Sequence, residues 1–418
     1  MGFASSWLNA RAVFPEFIKE EPSAATGIVT VVPLFNEPSI TDLLDSLAHC
    51  EIPSCGVEVI VVVNSPSDSE DEIVESNRAA QLKIESWKRN RNIFFRLFVF
   101  NIECPDIKNW GVGLARKAGM DEALRRFDKL DYPGGIITCL DADCTVRHDY
   151  FKAIESEFLS KNKRNACSIR FEHPVSGFVF EPEIYNSIIQ YEIHLRYYYQ
   201  ALKYSGFPDV FHTVGSTIAV RAESYMKAGG MNRRQAGEDF YFVQKLIPAG
   251  GYFSLNSTVV YPSPRISDRV PFGTGNAIGK MISSGKQIFM TYNPEAFKDL
   301  KEFFLFSHGL LYEKGIRDEG KYSLVPYSVR TFLPFDEWKT KMDEIISNTA
   351  SPAASEKRFF EWFNMFRIVK FLNFSHNMLF KRVSANEAAI SLFRISGIDY
   401  SGQGDNDLLQ FLRGLELN

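Results

Sequence analysis

Two stretches near the start of the chain are apolar at almost every position: Gly27 to Phe35 (GIVTVVPLF) and Val57 to Val63 (VEVIVVV), the second with one acid, Glu58. β-Branched runs of this length that end in turn residues predict strands buried on both faces of a parallel sheet. Between them Ile40, Leu43, Leu44 and Leu47 recur at helical spacing, with Ser39 and Asp42 in a capping-box arrangement. That pattern predicts a helix over Ser39 to Cys50 and so a βαβ beginning.

After Asn64 the chain turns polar, with Ile73, Val74, Leu82, Ile84 and Trp87 as its few apolar anchors, which predicts an exposed helix on an insertion, outside catalysis. The alternation then resumes with a strand at Ile93 to Phe100, a helix at Val112 to Phe127 and a strand at Gly135 to Leu140. Further strands are expected at Ala166 to Phe171 and Val214 to Val220, a helix from Pro182 to about Leu202 between them, and another helix opening at Glu238. From about Asn293 the period is helical: Ala296 to Phe306, Asp336 to Ile346, Glu356 to Phe371 and Asn386 to Phe393, with Ser347 to Ser355 a loop.

With 418 residues, too many for one ordinary core, the expected layout is an N-terminal extension (1–26), an α/β domain (27–292) and a helical accessory region (293–418). The net charge of -4 lacks the basic footprint that a nucleic-acid binder needs. Cys50, Cys55, Cys104, Cys139, Cys144 and Cys167 form no paired CxxC spacing and read as reduced thiols. Residues 1–21 lack the pattern of a signal peptide, and the apolar runs fall short of the roughly 20 residues that span a bilayer. The expectation is a cytoplasmic protein. Phe359 to Phe371 (FFEWFNMFRIVKF) leaves peripheral membrane contact open, although packing onto the catalytic domain is the preferred use. The tyrosines 191, 197, 198, 199 and 204 read as core or subunit contact.

Candidate chemistry starts at Asp141-Ala142-Asp143, directly after a predicted strand. Open α/β sheets bind ligands at strand C-termini, and two carboxylates at i, i+2 can divide labour between a ribose hydroxyl and a divalent cation, Mg²⁺ or Mn²⁺. An acidic turn explains such a triplet equally well. Three further motifs change the balance: Val32-Pro33-Leu34-Phe35-Asn36-Glu37 closes the first strand, Gly111 to Gly119 (GVGLARKAG) opens a helix before DAD, and Gly237-Glu238-Asp239-Phe240 opens one downstream.

These four motifs, in this order, resemble the family 2 glycosyltransferases of the GT-A fold over about residues 27 to 250. The resemblance implies a doubly wound, mostly parallel α/β sheet with helices on both faces, followed here by the helical C-terminal region. It implies an inverting transfer from a nucleotide-diphospho-sugar donor to a hydroxyl acceptor, whether saccharide, lipid-linked or small molecule. Pro33, Phe35, Asn36, Glu37, Asn64, Gly113 and Arg116 would line the nucleotide site, Asp141 would approach the ribose, and Asp143, with Asp141, would hold the metal. Asp239, beside Glu238, would take the acceptor proton. The dipole of a helix N-terminus would by itself explain that acidic pair, but with DAD upstream and Gly237 in place catalysis is the preferred reading. His212 would touch acceptor or diphosphate, or is a half-buried structural histidine. Arg265, Asp268 and Arg269, in a proline-flanked loop, would add diphosphate contacts and a last metal ligand, or pair locally on the surface.

The chain departs from the family pattern where Asn64 replaces an acidic residue and where Lys117 replaces Asn, which leaves the donor base open. A retaining GT-A transferase, a nucleotidyltransferase and a non-catalytic nucleotide-sugar-binding protein remain alternatives. VPLFNEP is not the basic glycine-rich loop of a nucleotidyltransferase, and Arg116 stands where a dinucleotide fingerprint needs its third glycine.

Overall fold

The computed structural model describes residues 2–66, 70–104, 110–160, 163–234, 237–267, 273–313 and 318–417. In chain order its first elements are α1 (Ser5–Arg11), β1 (Thr26–Leu34), α2 (Ile40–Ala48), β2 (Gly56–Pro66), α3 (Asp71–Arg89), β3 (Arg96–Cys104), α4 (Val112–Lys129) and β4 (Ile136–Cys139). Next come β5 (Thr145–Val146), α5 (Tyr150–Ser160), β6 (Ala166–Phe171), α6 (Pro182–Ser205), β7 (Ile218–Arg221), α7 (Ala222–Lys227), α8 (Glu238–Leu246) and β8 (Tyr252–Tyr261). The remainder is α9 (Thr274–Ser283), β9 (Met290–Thr291), α10 (Pro294–Glu313), α11 (Glu319–Tyr322), α12 (Tyr327–Phe332), α13 (Phe335–Ser347), α14 (Pro352–Trp362), α15 (Met365–Met378), β10 (Val383–Ser384), α16 (Ala385–Ser396) and α17 (Gly404–Leu415).

The chain divides into two compact units, residues 1–174 with 211–276, and 175–210 with 277–418. The first holds an eight-stranded sheet in the order β3-β2-β1-β4-β7-β6-β8-β5. β3, β2, β1 and β4 pair in parallel, and β7 runs antiparallel between β4 and β6. Strand alternation sends Val57, Val59, Val61 and Val63 into one core with α2, α3 and α5, and Ile60 and Val62 into a second core with α4. Period-2 geometry thus gives both faces of a largely apolar strand a helix to bury against.

Pro33 shows how β1 opens a site. The Leu140 N–H donates to the Val31 carbonyl at 3.0 Å, so odd-numbered residues of β1 face β4. That pairing ends at Val31 and Cys139, so the missing N–H of Pro33 falls beyond the ladder and leaves no gap in it. The edge of β1 past residue 31 is free for other contacts.

Several local expectations change. Ser39 makes no side-chain cap on α2; its hydroxyl donates to Glu37 Oε1 at 2.6 Å instead. The strand expected at Val214 to Val220 starts as a 3-10 turn, Gly215–Thr217. The apolar run 356–371 is two helices, because the Asn364 side chain accepts from the Phe366 and Arg367 N–H groups and starts α15 afresh. α1 and α17, which are not among the expected helices, close their respective units.

The unit boundaries differ from 27–292 and 293–418: α6 belongs with the C-terminal helices. Its aromatic stripe is the reason, with Tyr197 buried and donating to the Tyr292 carbonyl at 2.8 Å, and Tyr198 against Phe297. Glu192 on α6 is buried and accepts from Arg196 and from Arg413 of α17. In the same unit Phe359 and Phe363 are buried against Phe303, so those two rings of the 359–371 run serve as core. No helix among the described residues is long and apolar enough to cross a membrane.

A second buried ion pair ties the first unit. Glu58, inside β2, accepts from Arg126 of α4 and from Arg96 of β3, while Arg126 also donates to the Glu20 carbonyl. Removing one partner of such a pair leaves a desolvated charge, so Glu58→Ala is expected to cost ~3–5 kcal/mol of unfolding free energy. Adding Arg126→Met should recover part of that loss in a denaturant titration.

Candidate active site

The C-terminal ends of β1, β2 and β4 and the N-termini of α4 and α8 supply the candidate site. β1 ends at Leu34, and Asn36 then takes a left-handed conformation (φ 47°), which an asparagine tolerates better than most residues. α3 supports that turn: the Asn36 N–H donates to Asn77 Oδ1 at 2.9 Å, and the Ser76 hydroxyl donates to Asn36 Oδ1 at 2.7 Å. The polar insertion thus holds the first strand's exit loop, a role its sequence does not signal. Asn77 also donates to the Asn64 carbonyl, and Asn64 Nδ2 to the Gly111 carbonyl. These bonds draw the ends of β1, β2 and α4 together, and the Phe35 and Trp110 rings meet edge to face at 4.8 Å. Asn64 Oδ1 and Trp110 Nε1 are buried without a hydrogen-bond partner, one acceptor and one donor for a polar ligand.

Arg116 lies at the centre. It is 4% exposed, and its two terminal nitrogens donate to Asp141, after β4, and to Glu238, at the start of α8. Burial works against its charge, but the Asp141, Glu238 and Asp239 carboxylates outweigh that and hold it firmly protonated. A Cβ on Gly215 would lie 2.2 Å from the guanidinium, so only glycine leaves room for it. Gly113, three residues before Arg116 on α4, is as tightly placed: a Cβ there would sit 2.3 Å from the Arg234 carbonyl oxygen.

Burial raises the Glu238 carboxyl to about 7, against the opposing pull of Arg116, and burial likewise raises Asp239. Asp239 Oδ1 accepts from the Phe240 N–H at 2.7 Å, and the Gly215 N–H adds a second backbone bond. The carboxylate is therefore aimed by main chain.

Asp143 is paired with Arg265, whose Nε donates to Asp143 Oδ2 at 2.6 Å and whose Nη2 meets Glu37 Oε2 at 2.8 Å. Burial raises the Asp143 carboxyl, opposed by Arg265. Asp141, Asp143 and Cys144 have ligand atoms within 4.8 Å of one another. Five carboxylates (Glu37, Asp141, Asp143, Glu238 and Asp239) thus cluster around two paired arginines, a surplus of hard negative oxygen that suits Mg²⁺ or Mn²⁺. Cys144 does not belong to that set, because burial raises its thiol well above its ordinary range and soft sulfur suits other metals.

His212 is half-buried in the first unit, with its carbonyl accepting from Ser168 and its ring edge-on to Phe171 at 5.1 Å. Pro33 and Phe35 are half-buried along the exit of β1. Asp268 and Arg269 lie outside the described residues. Asn77, Trp110 and Gly215 form part of the site without standing among the residues that the motifs single out. Trp110 adjoins the GVGLARKAG motif and is the one within reach of pattern reasoning.

A sheet with a parallel half, an antiparallel strand beside β4, an acid pair after β4 and a second acid pair opening a later helix fits the GT-A fold that the motifs imply. The family model described as "Glycosyl transferase family 2" matches residues 30–229, so that part of the chain is similar to the glycosyltransferases of this family. No curated protein matches the sequence. Among solved structures, S. aureus TarS shares 15% identity over 73% of this chain and 50% of its own, at a TM-score of 0.40. The chain thus spans about half of that protein. S. aureus TarS 1-349 in complex with UDP-GlcNAc shares 14% over 82% and 92%, at 0.42. The mannosyltransferase PcManGT from Pyrobaculum calidifontis, in complex with GDP-Man and Mn²⁺, shares 16% over 90% and 92%, at 0.36.

The raised Glu238 carboxyl has a measurable consequence. A folded-state value of about 7, above the ordinary 4.5, contributes stability that is full below pH 4.5 and is lost as pH rises through 7. Wild-type melting temperature, taken relative to Glu238→Gln, is therefore expected to fall between pH 5 and 8. A difference that stays flat across that range would show that Arg116 keeps Glu238 ionised throughout.

Proposed function

We propose that this protein is an inverting, metal-dependent glycosyltransferase that moves a sugar from a nucleotide-diphospho-sugar to a hydroxyl acceptor. The observation that carries this reading is the Arg116 bridge, which brings Asp141, from the DAD triplet after β4, and Glu238, next to Asp239, to one guanidinium. Chemistry of this kind needs a donor anchor and a base on one constellation, and residues from distant parts of the chain supply both.

The nucleotide would lie along the exits of β1 and β2, with Phe35, Asn36 and Asn64 against base and ribose. Asn64 Oδ1 and Trp110 Nε1 offer a buried acceptor and donor there, which suits a base that presents both. Asp141 and Asp143 would hold Mg²⁺ or Mn²⁺, which when bound supplies Lewis-acid neutralisation of the departing diphosphate. Asp239 would remove the acceptor proton as the hydroxyl attacks the anomeric carbon from the face opposite the leaving group. Its burial-raised basicity and its two backbone hydrogen bonds suit a general base held in one orientation. Five described cysteines are free thiols, which supports work in the reducing cytoplasm.

A thermal-shift panel of nucleotide diphosphates and nucleotide-sugars, with and without Mn²⁺, tests the donor half. A ligand at 100 times its dissociation constant should stabilise the fold by about 2.7 kcal/mol, and Asp143→Ala should abolish the Mn²⁺-dependent part. No shift with any nucleotide would count against the reading. For the chemical half, Asp239→Asn should keep donor affinity within a few-fold and lower kcat by ~10²–10⁴-fold, the usual contribution of a general base. Full transfer by Asp239→Asn would remove the base assignment, and a product of retained anomeric configuration would remove inversion.

A further inference from the structure

Asp143 Oδ2 accepts a 2.6 Å hydrogen bond from Arg265 Nε, although the proposed function makes Asp143 a cation ligand. A divalent cation would sit about 2.1 Å from a carboxylate oxygen, so ion and guanidinium cannot both use that lone pair, and their like charges repel. Taking Asp143 as the metal ligand assigned under the proposed function, we propose that Arg265 is an internal counter-cation of the donor site, holding Asp143 until a divalent metal displaces it.

The contacts of Arg265 are divided in a way that permits this exchange. Nε serves Asp143, while Nη2 serves Glu37 Oε2 at 2.8 Å. Glu37 is buried at 2% exposure, and its other oxygen accepts from the Ser39 N–H at 3.3 Å and the Ser39 hydroxyl at 2.6 Å. Glu37 is thereby fixed as an anchor. The guanidinium has separate donors in one rigid fork, so it can release Asp143 and keep Glu37 without leaving a buried charge unpaired. That explains why Ser39 bonds Glu37 rather than capping α2.

Mn²⁺ alone, titrated into the full chain without nucleotide and followed by the electron paramagnetic resonance of free Mn²⁺, tests the proposal. Arg265→Gln keeps a hydrogen-bonding group but removes the charge, and should tighten the Mn²⁺ dissociation constant at least tenfold. Arg265→Lys restores a cation and should bind Mn²⁺ as weakly as the wild type, which a purely structural role for the arginine would not produce. Asp143→Asn should abolish binding in both the wild-type and the Arg265→Gln backgrounds. Unchanged Mn²⁺ binding in Asp143→Asn overturns the metal reading itself. Loss in Asp143→Asn together with unchanged affinity in Arg265→Gln overturns only the role of Arg265, and failure of both wild type and Arg265→Gln to bind Mn²⁺ overturns both. Should Arg265→Gln not fold, wild-type protein still decides: the Arg265 Nε–H resonance, assigned by its loss in Arg265→Lys, should shift on adding saturating Mg²⁺. A resonance that stays put overturns the proposal.

Discussion

A single buried cation organises the candidate site. Arg116 leaves the second turn of α4 and meets Asp141 at the end of β4 and Glu238 at the start of α8, residues 25 and 122 positions away. A guanidinium at 4% exposure is tolerable only when carboxylates surround it, because desolvation alone costs several kcal/mol per ion. The acids are equally dependent on it: its charge opposes the upward push that burial gives the Glu238 and Asp239 carboxyls. Each side therefore fixes the other, and the position of Asp239 follows from the pairing of its neighbour.

The sheet prepares the place for this cluster. β1 outruns β4, so the odd-numbered edge of β1 beyond Val31 has no strand to bond, and Pro33 can stand there. Asn36, left-handed, then turns the chain so that Glu37 faces Arg265 and Asp143. Each of these steps is a backbone event, and the side-chain chemistry sits on its result. Glycines at 113 and 215 let α4 and Arg116 approach neighbouring backbone more closely than any side chain would allow.

Buried ion pairs recur as ties elsewhere. Glu58 with Arg126 and Arg96 joins β2, α4 and β3 and reaches the N-terminal segment through the Glu20 carbonyl, while Glu192 with Arg196 and Arg413 joins α6 to α17. Such pairs add less stability than an apolar core of the same volume, but their geometry is demanding, and that demand favours one pairing of elements over others.

The sequence by itself determined the buried strands β1 and β2, the βαβ beginning, the helical texture after residue 293 and the DAD triplet after β4, because burial on both faces and helical periodicity are local patterns. It also pointed to the residues of the candidate site, through motifs whose order carried more than any one of them. Tertiary structure alone decided what those residues touch. That Arg116 bridges two acids, that Arg265 pairs with Asp143 and Glu37, and that Ser39 bonds Glu37 instead of capping α2 depend on contacts across large separations in the chain. The same holds for α6, whose helical pattern is plain but whose Tyr197 and Tyr198 meet Tyr292 and Phe297, far along the chain. Asn77 stayed hidden for the same physical reason: a polar residue on an exposed-looking helix carries no local mark of the loop it will hold.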